Sequence, residues 1–433
     1  MNSNSETTTQ NVVCSSLQNT ENLALREQRI LDAVSLKEPD RVPILAPTTN
    51  AYPYFAANHS MAQVTYDIDL ALNDIRAFLT EFQPDTGFGA GSCFEGYGPM
   101  LELADCKCYL WAGMPGNRIP EDSIQQFIEF PTLEDGEMQG LLSNRDWTML
   151  TKILPRAYGV FSPFAKINTS GAYFPKLGYE SIAFGFMQPE VQDAIEKLRQ
   201  LGGMWGAYYG KTGAFANEIE QMGFPCMSGI PGMVPFDWYS NFLRGTMNAS
   251  MDLFDMPELV QELLQIVIPI GVGNIKFREP KRNRFTYIFM HKGMDGFLSD
   301  EQYEHFYWCN FMPQVEAIIA SGSIPYIFTE GPYNTRFKFL KQLPPGKCVV
   351  HFEDVDMALA KRELTGVACI AGNFRYQTLA RGTKEQVVEE AKQLLDTCAP
   401  GGGYMFDLDG GMYGLPRENL EALYGYLKDA GKY

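Results

Sequence analysis

Three residues in the C-terminal half, His291, Glu330 and His351, each follow or end an apolar run typical of a buried strand. The runs cover 285–290, 324–329 and 348–351 and are rich in β-branched and aromatic residues, as in parallel strands covered on both faces. In an α/β barrel all such strand ends converge on one face, where the active site lies. Two imidazoles and a carboxylate there would form a three-ligand site with an open position, the arrangement of catalytic zinc.

Each of these residues also has an interpretation without a metal. His291 would hydrogen-bond the backbone of its loop, and His351 would be a half-exposed loop residue. Glu330 needs water, a cation or a metal, because burying a carboxylate without a partner is costly. A salt bridge to Arg336 or Lys338 would meet that need, so the residues alone leave both interpretations open.

Further acidic residues lie close to these strand ends in the sequence. Asp295 and Asp354 are candidates for handling protons or for orienting a ligating imidazole. Asp354 alternatively caps the next helix. Asp407 is a weaker fourth metal ligand, although both Asp407 and Asp409 have the pattern of solvated loop aspartates. Glu316 is predicted in the second half of a helix, on the surface and away from the strand ends.

Strand and helix patterns alternate five times in the second half of the chain. Strands are predicted at 285–290, 324–329, 348–351, 367–371 and 403–406, and helices near 301, 334–341, 356–363, 383–397 and 417–430. Short loops between them favour a parallel sheet, and we expect it to close into a (β/α)₈ barrel of the TIM type. A doubly wound open sheet is the alternative. No glycine-rich nucleotide-binding fingerprint is present.

The N-terminal half is less regular. Residues 1–20 are polar and predict a disordered tail, ahead of a single barrel domain over 21–433. Helices are predicted at 21–36, 61–82 and 189–201, the last ending before Gly202. The Gly- and Pro-rich segment 83–160 is expected to be an inserted, loop-rich lid.

Composition limits the classes of partner and compartment. The net charge of −17 argues against nucleic acid, whose binding depends on Lys and Arg. Nine scattered cysteines without a Cys-x-x-Cys indicate free thiols in a reducing, cytoplasmic compartment. We predict no membrane span, since the chain has no stretch of about 18 apolar residues.

Several motifs resemble the uroporphyrinogen decarboxylase superfamily, from the N-terminal helix to the last strand. They include residues 29–44 (Arg-Ile-Leu-Asp-Ala-Val through Pro-Asp-Arg-Val-Pro-Ile), 291–299 (His-Lys-Gly-Met-Asp-Gly-Phe-Leu-Ser), 329–334 (Thr-Glu-Gly-Pro-Tyr-Asn) and 368–373 (Ala-Cys-Ile-Ala-Gly-Asn). The resemblance implies a (β/α)₈ barrel and one of two chemistries. Decarboxylases of this superfamily act on porphyrinogens without a cofactor, and its methyltransferases use zinc and the cobalt of a corrinoid protein.

Departures from the two better-known branches favour a third. In the decarboxylases, an arginine after the first strand binds substrate carboxylates. Residues 45–50, which follow the first strand here, contain no arginine. The His-x-Cys and the final Cys of the thiol-methylating branch are replaced by Thr329-Glu-Gly331 and Asp409-Gly-Gly411. The interval from Glu330 to His351 resembles the methyltransferases of anaerobic O-demethylase systems.

The resemblance therefore implies a zinc-dependent methyltransferase. Its methyl donor would be a methyl ether, most simply a methoxylated aromatic, and its acceptor the Co(I) of a separate corrinoid protein. Carboxylate and imidazole ligands leave zinc Lewis acidic and suited to an ether oxygen. A cofactor-free decarboxylase and a barrel that binds a ligand or corrinoid without chemistry are the alternatives.

Overall fold

The computed structural model describes residues 3–167, 178–227, 232–278 and 280–433, with side chains described from residue 17 onward. The strands are β1 Gly87–Phe88, β2 Tyr109–Leu110, β3 Gln126–Phe127, β4 Cys226–Met227, β5 Gly232–Met233, β6 Phe285–Met290, β7 Ile324–Pro332, β8 Val349–Asp354, β9 Cys369–Gly372 and β10 Tyr404–Met405. The helices are α1 Ser3–Val34, α2 Tyr52–Ala56, α3 Met61–Tyr66, α4 Ile68–Phe82, α5 Gly98–Leu103, α6 Met138–Ser143, α7 Arg145–Thr148, α8 Leu154–Ala157, α9 Tyr179–Phe186, α10 Pro189–Gln221, α11 Pro235–Trp238, α12 Thr246–Asp255, α13 Pro257–Arg278, α14 Asp300–Gln302, α15 Cys309–Ala320, α16 Phe337–Leu340, α17 Met357–Leu364, α18 Tyr376–Arg381, α19 Lys384–Cys398 and α20 Arg417–Ala430.

A parallel sheet runs in the order β10-β9-β8-β7-β6-β5 and continues around the molecule. Residues 42–46 join its far edge, because Leu45 N–H donates to the Phe406 carbonyl at 2.9 Å and Phe406 N–H to that of Pro43 at 2.8 Å. Asp85 N–H donates to the Ile44 carbonyl at 2.8 Å, and β1 pairs in parallel with β4. The barrel has eight positions when β4 and β5 are counted together as one: residues 42–46, β1, β4 with β5, and β6 to β10. The fold is therefore a (β/α)₈ barrel, and the open-sheet alternative is wrong.

Two hydrophobic cores support the barrel. The interior core contains the inward side chains of the strands, among them Phe285, Tyr287 and Tyr326, and Ile30 and Val34 of α1 pack against it. The outer core lies between the strands and the surrounding helices. Alternation of side chains along a strand produces this division, since neighbours point to opposite faces. Runs that are apolar at every position are therefore what a barrel strand requires.

The C-terminal elements lie where the alternation predicts them, but several boundaries differ. The strand predicted at 348–351 continues to Asp354 as β8, so that His351 lies within the strand. The helix predicted at 61–82 is interrupted at Asp67, whose side chain accepts the N–H of Asp69 and caps α4. Helix α10 runs through Gly202 to Gln221, because a glycine lowers helix stability without ending the helix.

The N-terminal predictions need similar correction. Helix α1 extends from Ser3 to Val34 and includes residues that composition assigns to a disordered tail. Among its described side chains, burial begins at Arg26, so only the last part of the helix packs on the barrel. The segment predicted as an insertion at 83–160 contains β1, which belongs to the barrel; the hairpin β2-β3 and helices α5 to α8 follow it.

Helix α13 has the length and apolar composition of a membrane span. A helix that packs on a protein core passes the same test, and α13 packs against α15 with Val260, Leu263 and Leu264 buried. Free thiols among the described residues include Cys93, Cys106, Cys108, Cys309, Cys348, Cys369 and Cys398.

Asp85 links the first two barrel positions below the interior core. Its buried carboxylate accepts hydrogen bonds from Arg29 at 2.5 Å, Arg41 at 2.6 Å and the Ile44 N–H at 2.7 Å. We expect Asp85→Ala to lower the free energy of unfolding by about 3–5 kcal/mol, because it leaves the half-buried Arg41 without its anion and Arg29 with Asp40 alone. Urea unfolding measures this. The exposed Arg417 pairs with Glu81, and Arg417→Gln should change stability little; equal losses in both variants would contradict this role of Asp85.

Candidate active site

The register of β6, β7 and β8 arranges their inward side chains in layers. Tyr287 is opposite Tyr326, and two residues further along Phe289 is opposite Phe328. Phe328 is in turn opposite His351 on β8. Another step of two residues along β6 and β7 leads to the uppermost layer, formed by His291 and Glu330. The pairing of β7 with β8 shifts in register between Thr329 and Pro332, and Glu353 lies beside this layer with its carboxylate on the Gly331 N–H. His351 therefore lies one layer deeper than the other two predicted ligands.

These upper layers enclose a cavity of about 240 Å³ at the carboxyl ends of the strands. Aromatic rings, carboxylates and imidazoles surround it together with a short loop from the first barrel position. Its lining residues are Pro47, Thr48, Thr49, Tyr287, Phe289, His291, Phe328, Glu330, His351, Glu353, Asp407, Gly410, Gly411 and Tyr413. All four predicted metal ligands, His291, Glu330, His351 and Asp407, face this one cavity.

His291 and Glu330 form an ion pair at the mouth of the cavity. The His291 Nδ1–H donates to Glu330 Oε2, and the side chains are 35% and 46% exposed. The imidazole stacks on Phe289 with ring centroids 5.8 Å apart. Burial by itself would lower the pKa of His291, but the hydrogen bond to Glu330 and the charges of Asp237 and Glu330 outweigh it and raise the pKa. Burial would raise the pKa of Glu330, but His291 holds it below its ordinary value.

Asp237 in α11 positions this histidine through its backbone, and sequence patterns did not indicate it. Its fully buried carboxylate accepts the N–H groups of His291 at 2.8 Å and Lys292 at 2.9 Å. The Tyr307 hydroxyl donates to the same carboxylate at 2.7 Å. Burial raises the pKa of Asp237 despite these donors. Strand-end patterns could not indicate Asp237, because it lies in a short helix 54 residues before His291.

His351 is held from below by backbone groups. Its Nε2 lies 2.6 Å from the Leu408 carbonyl oxygen, which can only accept, so Nε2 carries the proton. Nδ1 lies 3.9 Å from Asp407 Oδ2. The Nε2 edge of the ring also lies against Gly372, where a Cβ would come within 2.8 Å of Cδ2 and 3.1 Å of Nε2. Nδ1 is thus the nitrogen of His351 that remains available to a ligand.

Asp407 is buried, contrary to the solvated loop position that its sequence pattern suggests. Tyr326 O–H donates to Oδ2 at 2.6 Å and Leu408 N–H to Oδ1 at 2.9 Å. Burial raises the pKa of Asp407, partly offset by His351 and by these two donors. Asp407, His351 and Tyr326 form a connected polar group beneath the ion pair.

Other predicted residues lie outside the cavity. Asp295 accepts the N–H and the hydroxyl of Thr335 and so joins the loops after β6 and β7. Asp354 is exposed at the end of β8, and Asp356 rather than Asp354 caps α17. Its neighbour Glu353 faces the cavity, because adjacent strand residues point to opposite sides. Glu316 is exposed on α15, as expected.

The donor types around the cavity suit zinc, which binds imidazole and carboxylate. Their described positions do not converge, however: no three His, Cys, Asp or Glu side chains within the described ranges are grouped closely enough to hold a metal ion. The reason is visible in the register, since His351 is one layer below a pair that is already bonded to itself. Glu330 also makes no salt bridge to Arg336, which binds Asp300 instead.

Comparison with known families matches residues 187–429, more than half of the chain, to the family described as Uroporphyrinogen decarboxylase (URO-D). The chain belongs to the uroporphyrinogen decarboxylase family. The matched region contains barrel strands β4 to β10 and the residues of the His291–Glu330 pair. Comparison with curated proteins gives no match.

The chain also resembles proteins of known structure. Matches extend to 26 chains, among them a methyltransferase from Methanosarcina mazei with 15% sequence identity and a TM-score of 0.56. That match covers 93% of this URO-D family member and 98% of the methyltransferase chain. At this identity the likeness establishes the barrel fold alone.

The ion pair at the mouth of this URO-D barrel should make stability depend on pH. The pKa of His291 is higher in the folded protein than in the unfolded chain. Its contribution to the free energy of unfolding is therefore complete below a pH of about 6.5 and is lost as the pH rises through the pKa of the folded state. The pKa of Glu330 is lower in the folded protein than in the unfolded chain. Its contribution to the free energy of unfolding is therefore complete above a pH of about 4.3 and is lost as the pH falls through the pKa of the folded state. We expect Glu330→Gln to destabilise most between these limits, measured by urea unfolding of chelator-treated protein from pH 3 to 9. A pH-independent difference would contradict the pairing.

Gly372 keeps the floor of the site open. An added Cβ would lie 2.5 Å from the Phe352 carbonyl oxygen at a φ of +91°. We expect Gly372→Ala to destabilise by roughly 1–3 kcal/mol and to shift the His351 imidazole resonances in an NMR spectrum. Gly366→Ala is the matched control, since Gly366 has a φ of +80° with nothing within 4 Å. Equal effects of the two substitutions would show that crowding at His351 is unimportant.

Proposed function

We propose that this protein is a methyltransferase that moves a methyl group from a small methoxylated aromatic to the Co(I) of a separate corrinoid protein. The observation that carries the proposal is the cavity at the strand ends, with aromatic walls formed by Phe289, Phe328 and Tyr413 and an imidazole–carboxylate pair at its mouth. Membership of the URO-D family and the fold shared with a methyltransferase agree with it. In a (β/α)₈ barrel this face is where chemistry takes place.

The lining argues against decarboxylation of a porphyrinogen. Such a substrate carries many carboxylates and needs a basic clamp, yet none of the residues lining the cavity is Lys or Arg. Glu330, Glu353 and Asp407 would instead repel it. A cavity of about 240 Å³ is also below the usual range of roughly 300–1,000 Å³ for sites that hold drug-sized ligands. The site suits one aromatic ring better than a tetrapyrrole.

The protein's own residues would bind, orient and protonate. The ring of the donor would lie among Phe289, Phe328 and Tyr413, with its ether oxygen toward His291. As the methyl carbon bonds to Co(I), the carbon–oxygen bond breaks and its electron pair stays on the oxygen. The hydrogen bond to Glu330 raises the pKa of His291 and so favours its charged form. In the site without a metal, this imidazole would give its proton to the departing phenolate.

Zinc belongs to this proposal as the group that would supply Lewis acidity at the ether oxygen. His291 and Glu330 would hold it with Nδ1 of His351, once their mutual hydrogen bond opens, and Asp407 would support His351 from below. His291 would then be a neutral ligand, so proton transfer from His291 belongs to the site without a metal. Elemental analysis of the purified protein measures the content directly. We expect about one zinc per chain, falling after Glu330→Gln; a metal-free protein that remains active would remove zinc from the proposal.

The activity test combines the protein with a Co(I)-corrinoid protein and 2-methoxyphenol and follows the visible spectrum of the corrinoid. We expect formation of methyl-Co(III) and loss of at least a hundredfold in rate with His291→Asn or Glu330→Ala, since proton transfer by a positioned group contributes about 10²–10⁴-fold. His305→Asn is the matched control, because His305 is exposed and does not line the cavity. The proposal fails if the two cavity variants keep full activity, and binding of the donor without any methyl transfer would support a non-catalytic barrel.

A further inference from the structure

The charge distribution of the cavity points to a narrower class of methyl donor. We infer that the site selects an uncharged methoxyarene over its carboxylated analogues, and that Glu353 is the residue that imposes this choice. The inference deepens the proposed function and rests on it for the identity of the donor as a methyl ether. It concerns the charge of the donor, which neither the family nor the fold determines.

Acidic groups outnumber basic ones around the cavity. The lining contains three carboxylates, those of Glu330, Glu353 and Asp407, against two imidazoles. A zinc ion with neutral imidazoles would still leave this set with a net charge of −1, from three negative charges and two positive ones. With or without zinc the lining is not positively charged overall, and apart from the zinc itself the cavity offers a substrate carboxylate no lysine or arginine as a counter-ion.

Cationic side chains near the cavity are occupied elsewhere. Lys292, next to His291, points its ammonium group toward Glu129 at 3.7 Å and lies over the Phe297 ring at 5.9 Å. Arg375 makes a two-point contact with Glu390, at 3.1 and 2.9 Å. None of these side chains lines the cavity. Turning one inward would break an existing ion pair.

Glu353 differs from the other two carboxylates in its partners. Glu330 is paired with His291, and Asp407 receives the Tyr326 hydroxyl beside His351. Glu353 accepts the backbone N–H of Gly331, which carries no formal charge. It is half-buried and lines the same cavity as the ion pair. Its negative charge is therefore the one that an incoming ligand meets without compensation.

The size of this effect follows from Coulomb's law. Two like charges about 6 Å apart, at an effective dielectric constant of about 20, repel enough to weaken binding by on the order of a hundredfold. A donor that carries a carboxylate on its ring would suffer this loss wherever the cavity holds it close to Glu353. An uncharged ring of the same size would not.

The test compares two ligands that differ by one carboxylate, 2-methoxyphenol and 4-hydroxy-3-methoxybenzoate, by isothermal titration calorimetry at pH 7.5 without the corrinoid partner. We expect the wild-type protein to prefer the uncharged ligand by about a hundredfold. Glu353→Gln should reduce this preference at least tenfold, chiefly by strengthening binding of the acid.

Asp354→Asn is the matched control, because it removes one negative charge from the adjacent, exposed position outside the cavity. It should leave the preference unchanged. Equal affinity of the wild-type protein for both ligands would overturn the inference, as would a similar relaxation by Asp354→Asn. A preserved melting temperature of Glu353→Gln excludes misfolding. Since binding is measured without methyl transfer, selective binding without turnover would contradict the proposed function alone, and turnover of the acid as fast as of the phenol would contradict this inference alone.

Discussion

The parallel register of β6, β7 and β8 is the constraint on which the site depends. Backbone hydrogen bonds fix Phe328 opposite both Phe289 and His351, and alternation determines the height of the inward side chains up to Thr329, after which the pairing of β7 with β8 shifts. A shift by one residue would turn the whole set from the barrel interior to the helix layer. The aromatic layer at the level of Phe289 and the ionic layer above it thus arise from the same hydrogen-bond ladder.

Layering separates the polar groups by their surroundings. The upper pair, His291 and Glu330, is partly exposed and bound to itself, so both groups favour their charged forms. The lower group around Asp407 is buried, and burial raises the pKa of its carboxyl. A histidine and a carboxylate thus have different roles in the two layers. At the mouth His291 can donate a proton, and one layer below His351 and Asp407 form a rigid polar support.

Buried residues beneath the cavity hold His291 and His351 in fixed positions. Asp237 holds the backbone at His291, and Gly372 gives the His351 ring the space to reach the Leu408 carbonyl. Tyr326, Tyr287 and Phe285 fill the barrel below, and α1 packs against its lower end. A cavity with such support requires little reorganisation on binding, which is the property that preorganised catalytic sites share.

The sequence by itself determined the barrel and four of the residues that face its cavity, namely His291, Glu330, His351 and Asp407. Apolar runs such as 285–290 are readable because a barrel strand is buried on both faces, and His291 and Glu330 follow from the rule that active sites lie at strand ends. The structure alone decided the depth of His351, the burial of Asp407 and the roles of Asp237 and Glu353. Each of these depends on register or on contacts between residues far apart in the chain, as Asp237 and His291 are. The sequence prediction ends the strand at His351 and leaves Glu353 and Asp354 in a loop, where alternation does not apply. Because β8 continues to Asp354, Glu353 faces the cavity and Asp354 lies outside it, and sequence patterns do not locate strand ends that finely.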